Sequence, residues 1–144
     1  MQIVPVPTRP DYLAATQRYW APFLPDIARR SPWSEAELVR KLNAHEVQAV
    51  LVVDDQHHAV ALLGVSFCDD ADGKLVGELV WLTGKRRELW QDLLPELERY
   101  LREHMQCAKC RPICRAGWRR FLEQHGYTLL RVDPDKHIVM EKVL

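Results

Sequence analysis

Leu89, Leu93, Leu97 and Leu101 stand four residues apart, with Trp90 and Leu94 beside them. That spacing places one apolar stripe along a helix over roughly 86–104. A stripe of this kind has to be buried against a second layer. Pro95 falls inside it. An interior proline removes a hydrogen bond and costs about 3 kcal/mol, yet the stripe keeps its phase across Pro95, so one kinked helix is expected and not two. The second layer is written just upstream. Val47–Val53, Ala59–Phe67 and Lys74–Leu82 are apolar runs separated by the turn-like segments Asp54–His57 and Asp69–Gly73. Short turns make them an antiparallel meander, and stretches apolar on both faces call for helical cover.

The flanks fit the same plan. Gln2–Val6 is extended, and Pro5 and Pro7 make it an edge strand. Asp11 is expected to cap a helix over Tyr12–Trp20, and Pro22 and Pro25 then break the pattern. Ser34 with Glu37 reads as a capping box opening a helix that carries Leu38 and Leu42 and stops near Asn43. After the long helix come a short strand at Arg111–Cys114, a helix at Ala116–His125 with Gly126 at its end, and strands at Tyr127–Val132 and His137–Leu144. The order β-α-α-β-β-β-α-β-α-β-β predicts an α+β fold, with a mixed, mostly antiparallel sheet and helices on both faces. A length of 144 residues suits one domain over 1–144.

Lys plus Arg equals Asp plus Glu, so the net charge is zero. That argues against nucleic acid as the partner, because a whole-protein grip on phosphates needs a basic surplus. The first residues, MQIVPVPTRPDY, carry no apolar signal core. No apolar run approaches the ~18 residues of a membrane span, so no membrane partner and a cytoplasmic place are expected. Cys68, Cys107, Cys110 and Cys114 then default to reduced thiols. His104, Cys107, Cys110 and Cys114 lie within eleven residues and include a Cys-x-x-Cys pair, the alternative being a zinc site. The thiol reading is preferred, and no metal site is assigned.

The element order, with the ending FLEQHGYTLLRVDPDKHIVMEKVL, resembles the GNAT superfamily, the fold of acetyl-CoA-dependent N-acetyltransferases. The stretches LVWLTGKRRELW and RFLEQHG also look similar to small GNAT-like internal virion or morphogenesis proteins of short-tailed phages. The first resemblance implies acetyl-CoA as cofactor. The second implies a phage or prophage protein acting in virion morphogenesis, in ejection or on a host target, with a phage or host protein as partner. It places the chain in the cytoplasm of an infected or lysogenic bacterium, or with the virion.

Family enzymes hold the CoA pyrophosphate on a glycine-rich loop after the fourth strand. The matching residues are Trp81, Leu82, Thr83, Gly84, Lys85, Arg86 and Arg87, which contain one glycine and three cations. Charge would here replace the backbone cradle in holding a CoA-like or other phosphorylated molecule. The family's Asn and its Tyr, the acid that protonates the departing thiolate, fall on Arg115 and Leu122. Tyr127 is a nearby candidate acid. Glu78, flanked by Val76 and Val80 on one strand face, is the candidate base. Lys109, Arg111, Arg115, Arg119 and Arg120 are expected to border the same cleft as Lys85–Arg87. Two readings lead, a non-catalytic GNAT-fold protein with degenerate motifs and an active N-acetyltransferase on an unknown amine; a zinc-stabilised nucleic-acid-binding module ranks last.

Overall fold

The computed structural model describes residues 1–83 and 87–144, with the backbone alone at Arg87. The strands are β1 (Gln2–Pro5), β2 (Gln48–Val53), β3 (Ala59–Asp69), β4 (Leu75–Leu82), β5 (Lys109–Arg115), β6 (Thr128–Val132) and β7 (His137–Val143). The helices are α1 (Pro10–Trp20), α2 (Leu24–Arg29), α3 (Glu35–Asn43), α4 (Arg87–Glu103) and α5 (Arg119–Gln124). One sheet runs in the order β1-β2-β3-β4-β5-β7-β6. Every neighbouring pair is antiparallel except β4 and β5, which are parallel. That pair needs a crossover, and α4 supplies it.

The alternation of β2 divides the molecule into two cores. Val50 and Val52 pack with α4 and α5, while Ala49 and Leu51 pack with α1, α2 and α3. On α4, Leu93, Leu94, Leu97 and Leu101 are at most 2 % exposed. Each such burial contributes about 1.5–3 kcal/mol, so together they outweigh the cost of Pro95. The helix runs through that proline unbroken. Gly77 on β4 lets α4 come close, since a Cβ there would stand 3.0 Å from Leu101 Cδ2.

The N-terminal half departs from expectation in three places. Asp11 is not the cap of α1; it lies in the first turn, Pro10 opens the helix, and Arg9 precedes it without a side-chain cap. The prolines at 22 and 25 do not end helical structure. A 3-10 turn over Ala21–Phe23 leads into α2, with Pro25 in its first turn, where a missing N–H costs nothing. Only one half of the capping box is seen: Ser34 accepts from the Glu37 amide at 3.2 Å, while the Glu37 carboxylate pairs with Arg40 at 3.1 Å. Near the other end, α5 is shorter than expected, and Ala116–Trp118 forms a 3-10 turn before it. Gly126 follows α5 at φ 91°, the left-handed region that glycine enters most easily.

Candidate ligand cleft

The parallel ladder between β4 and β5 runs only from Val76–Lys109 to Leu79–Pro112. Two local features accompany its end. Pro112 has no N–H to give the ladder. On β4, Leu79 faces Val65 and Trp81 faces Gly64, so Val80 is an extra, bulged residue. Beyond this point β5 stays paired with β7 through Ile113, Cys114 and Arg115. The strands therefore part, and their C-terminal ends frame an opening with two very different sides.

On the side of α4 and α5 the opening is filled. Trp118 packs edge-on to Trp90 at 5.9 Å and to Phe121 at 5.7 Å between ring centroids. The space left between Leu82, Trp90, Trp118 and Leu122 is about 20 Å³, little more than the roughly 10–15 Å³ that one water molecule needs. No pantetheine-sized chain fits there while Trp118 keeps this position.

On the side of α2 the opening is a cleft. Its deep end, about 90 Å³, is lined by Ile27, Arg30, Trp81, Ile113, Arg115 and His137 among others. It adjoins a wider basin of about 620 Å³ lined by Arg29, Arg30, Arg115, Ala116, Asp135, Lys136 and His137. Trp81 is 2 % exposed, and among the described residues its Nε1–H has no hydrogen-bond acceptor. Its ring lies against Gly64, where a Cβ would come within 2.7 Å of Cδ2. Asp26 lies beside both Arg29 and Arg30, 3.4 Å from the latter. His137 Nδ1 stands 3.0 Å from Asp135. Arg115 and Lys136 are exposed and form no ion pair among the described residues.

Of the candidate cofactor residues, Gly84, Lys85 and Arg86 lie outside the described residues, as does the Arg87 side chain. Thr83 is 4 % exposed and turns inward: its hydroxyl donates to the Leu62 carbonyl at 2.8 Å and accepts from the Leu62 amide at 2.7 Å. That bond pair ties β4 to β3 and occupies the hydroxyl. Leu82 packs on the α4 core, Trp81 on the α2 core. Among the described residues of this group, Arg115 is the cation that reaches the cleft, and it is exposed there.

Glu78 and Tyr127 lie elsewhere. Glu78 faces Arg111 across the ladder, with Arg111 Nη1 3.6 Å from its carboxylate. Arg111 also gives Glu141 two hydrogen bonds, of 3.0 and 2.8 Å, and lies 3.5 Å from Asp70. Burial pulls the Arg111 guanidinium down, but the bond to Glu141 and the surrounding carboxylates leave it above its ordinary value. Lys109 donates to Asp70 and lies 3.7 Å from Glu141. Its bond to Asp70 holds that carboxyl below the usual carboxylate value and raises the lysine. Tyr127 is 2 % exposed and donates to Glu98 at 2.9 Å, beside Cys110 and Lys142. Burial pushes its phenol up.

Of the expected convergence of basic residues, the half made by the Lys85–Arg87 side chains lies outside the described residues, and Lys109, Arg111 and Arg119 have carboxylate partners of their own. Lys109 and Arg111 belong to this network, and Arg119 pairs with Glu123 at 3.1 Å. The cations that do meet Arg115 are Arg29, Arg30 and Lys136, none of which the chain pattern singled out. Arg29 and Arg30 end a helix hidden behind two prolines, and Lys136 sits in a turn, so no local signal joins them.

The cysteines of β5 follow strand alternation. Cys110 and Cys114 point into the α4 core with Cys107, and burial pushes both strand thiols up to about 12. Among the described residues no group of three His, Cys, Asp or Glu side chains is placed to hold a metal ion. No helix among them is long and apolar enough to cross a membrane.

No family model and no curated protein matches the chain. Solved structures do. Aminoglycoside 6'-acetyltransferase type Ii is 21% identical, with a TM-score of 0.66 over 99% of this chain and 97% of that one. A chimera of the Vibrio cholerae spermidine N-acetyltransferase SpeG and hSSAT is 11% identical, with a TM-score of 0.67 over 99% and 96%. Tetrahymena GCN5 is 10% identical, with a TM-score of 0.64 over 99% and 96%. The chain has the GNAT, acyl-CoA N-acyltransferase fold.

Proposed function

We propose that this chain is a GNAT-fold protein that works by binding, through the cleft on the α2 side, with its acyl-CoA and catalytic motifs degenerate. The observation that carries this reading is the filled space around Trp118. In the family plan the CoA pyrophosphate lies after the fourth strand and the thiolate meets an acid at the position of Leu122. The arm between them would have to pass where Trp90, Trp118 and Phe121 pack. Leu122 is 5 % exposed and carries no proton to give. The likeness of LVWLTGKRRELW and RFLEQHG to phage virion proteins supports a role in virion assembly, in ejection or on a host target.

Acetyl-CoA-dependent N-acetylation is the second reading. It is favoured by the likeness in fold to acetyltransferases along 99% of the chain. Under it, residues 81–87 and Arg115 would hold the cofactor, and Glu78 or Tyr127 would move protons. The ion pair of Glu78 and the bond from Tyr127 to Glu98 weigh against those roles. Calorimetry with acetyl-CoA separates the readings. The binding reading expects neither heat nor a thermal shift at millimolar acetyl-CoA for the natural chain. Saturable binding with acetyl transfer to any amine would overturn it. Binding gained only in Trp118→Ala would locate the obstruction at that ring.

A further inference from the structure

We infer that the cleft takes a small molecule carrying carboxylate or phosphate oxygens. The inference rests on the cleft being the binding site, and it names the ligand's charge and size.

Charge is the first argument. Arg29, Arg30, Arg115 and Lys136 line one basin, against Asp135 at its wall and Asp26 beside the two neighbouring arginines. Four cations facing two carboxylates leave a surplus of two positive charges, His137 not counted. Arg115 and Lys136, the two without a carboxylate among the described residues, come from β5 and from the β6–β7 turn. Two free cations brought together from distant segments focus a positive potential inside a concave wall. Guanidinium groups also match carboxylate and phosphate oxygens in pairs.

Trp81 is the second, independent observation. A buried N–H without an acceptor costs free energy, and here it belongs to a side chain lining the deep end of the same cleft. The N–H itself is closed to solvent, so a ligand oxygen in that end would satisfy the donor once the indole ring shifts to meet it. Size is the third argument: a basin of about 620 Å³ with a deep end of about 90 Å³ lies in the range of small-molecule sites. The cleft is thus opposite in charge to what a polyamine would need, although the fold is shared with a spermidine acetyltransferase.

The test is a titration of the ¹⁵N-labelled full chain with inorganic pyrophosphate, with citrate and with spermidine, following the indole N–H signals. Trp81 is assigned by triple-resonance spectra, which need no variant. Expected is a saturable shift of the Trp81 signal with one or both anions, stronger binding of pyrophosphate marking a phosphate ligand and of citrate a carboxylate one. Arg115→Ala and Lys136→Ala should each weaken it about tenfold, and Arg102→Ala, on the far helix, should leave it unchanged. Equal weakening by all three variants would mean unspecific charge and would overturn the inference. A Trp81 shift with spermidine alone would overturn the charge assignment while leaving the cleft as a binding site. No Trp81 shift with any probe, together with tight acetyl-CoA binding, would remove both the inference and the reading beneath it.

Discussion

The two halves of β5 carry the same kind of residue to opposite ends. In the N-terminal half, Lys109 and Arg111 are 18 and 12 % exposed and are enclosed by Asp70, Glu78 and Glu141. In the C-terminal half, Arg115 is exposed at a cleft with no carboxylate partner among the described residues. The first half is paired to β4 on one side and to β7 on the other. Past Pro112 the β4 ladder ends, and the same strand becomes one wall of an opening. Paired charge here serves the scaffold, and the unpaired charge lies where the proposed ligand would bind.

Changing Arg111 tests the scaffold half most severely. Arg111→Met would leave three carboxylates with only Lys109 to balance them. Between the small worth of an exposed pair and the loss on breaking a buried one, about 2–4 kcal/mol of stability should go. Thermal unfolding should then move down by roughly 5–12 °C. A change under one degree would mean that the network is solvated and that the contrast between the halves is false.

Gly64→Ala tests the floor of the cleft. The added methyl would meet the Trp81 ring at 2.7 Å. Overpacking of this kind costs about 1–3 kcal/mol, and the Trp81 indole signal should shift in the free protein. A variant of natural stability with an unmoved indole would show that the ring has room to yield.

Acid titration addresses the network more gently. Asp70 is held below its ordinary 3.8 by the bond from Lys109. A lowered carboxylate gives stability that is full above the ordinary value and is lost as pH falls through the lowered one. Lys109, raised above its ordinary 10.5, acts at the other end, its share lost only as pH climbs past that value. Asp70→Asn should therefore flatten the fall in melting temperature between roughly pH 5 and 2. An unchanged acid limb would show that Asp70 contributes nothing through this bond.

Arg115→Ala should do least to stability, within about 0.5 kcal/mol, as for an exposed side chain away from packing. Its anion affinity should nevertheless fall about tenfold. A large loss of stability would place Arg115 with Arg111 and erase the comparison.

Much of the fold was legible because period and turn chemistry act locally. The leucine stripe of α4, the meander of β2, β3 and β4, and Gly126 at the end of α5 follow from neighbours within a few residues. α2 was hidden because Pro22 and Pro25 read as breakers, although proline suits a first turn. At the site, Trp81 and Arg115 were named only as positions matching the family's CoA loop and its Asn, not as parts of this cleft. Which other cations would join Arg115 was not legible, because Arg29, Arg30 and Lys136 share no local pattern with it. Nor could sequence say that the Thr83 hydroxyl would be spent on Leu62.

The chain by itself determined which segments are strands and helices and which faces are apolar, since these depend on spacing along the backbone. The tertiary structure alone decided which charges are neutralised, which indole has no acceptor among the described residues and which side of the β4–β5 opening is filled. Those properties depend on distances between residues far apart in sequence, and Coulomb attraction, desolvation and packing act through such distances and not through order along the chain.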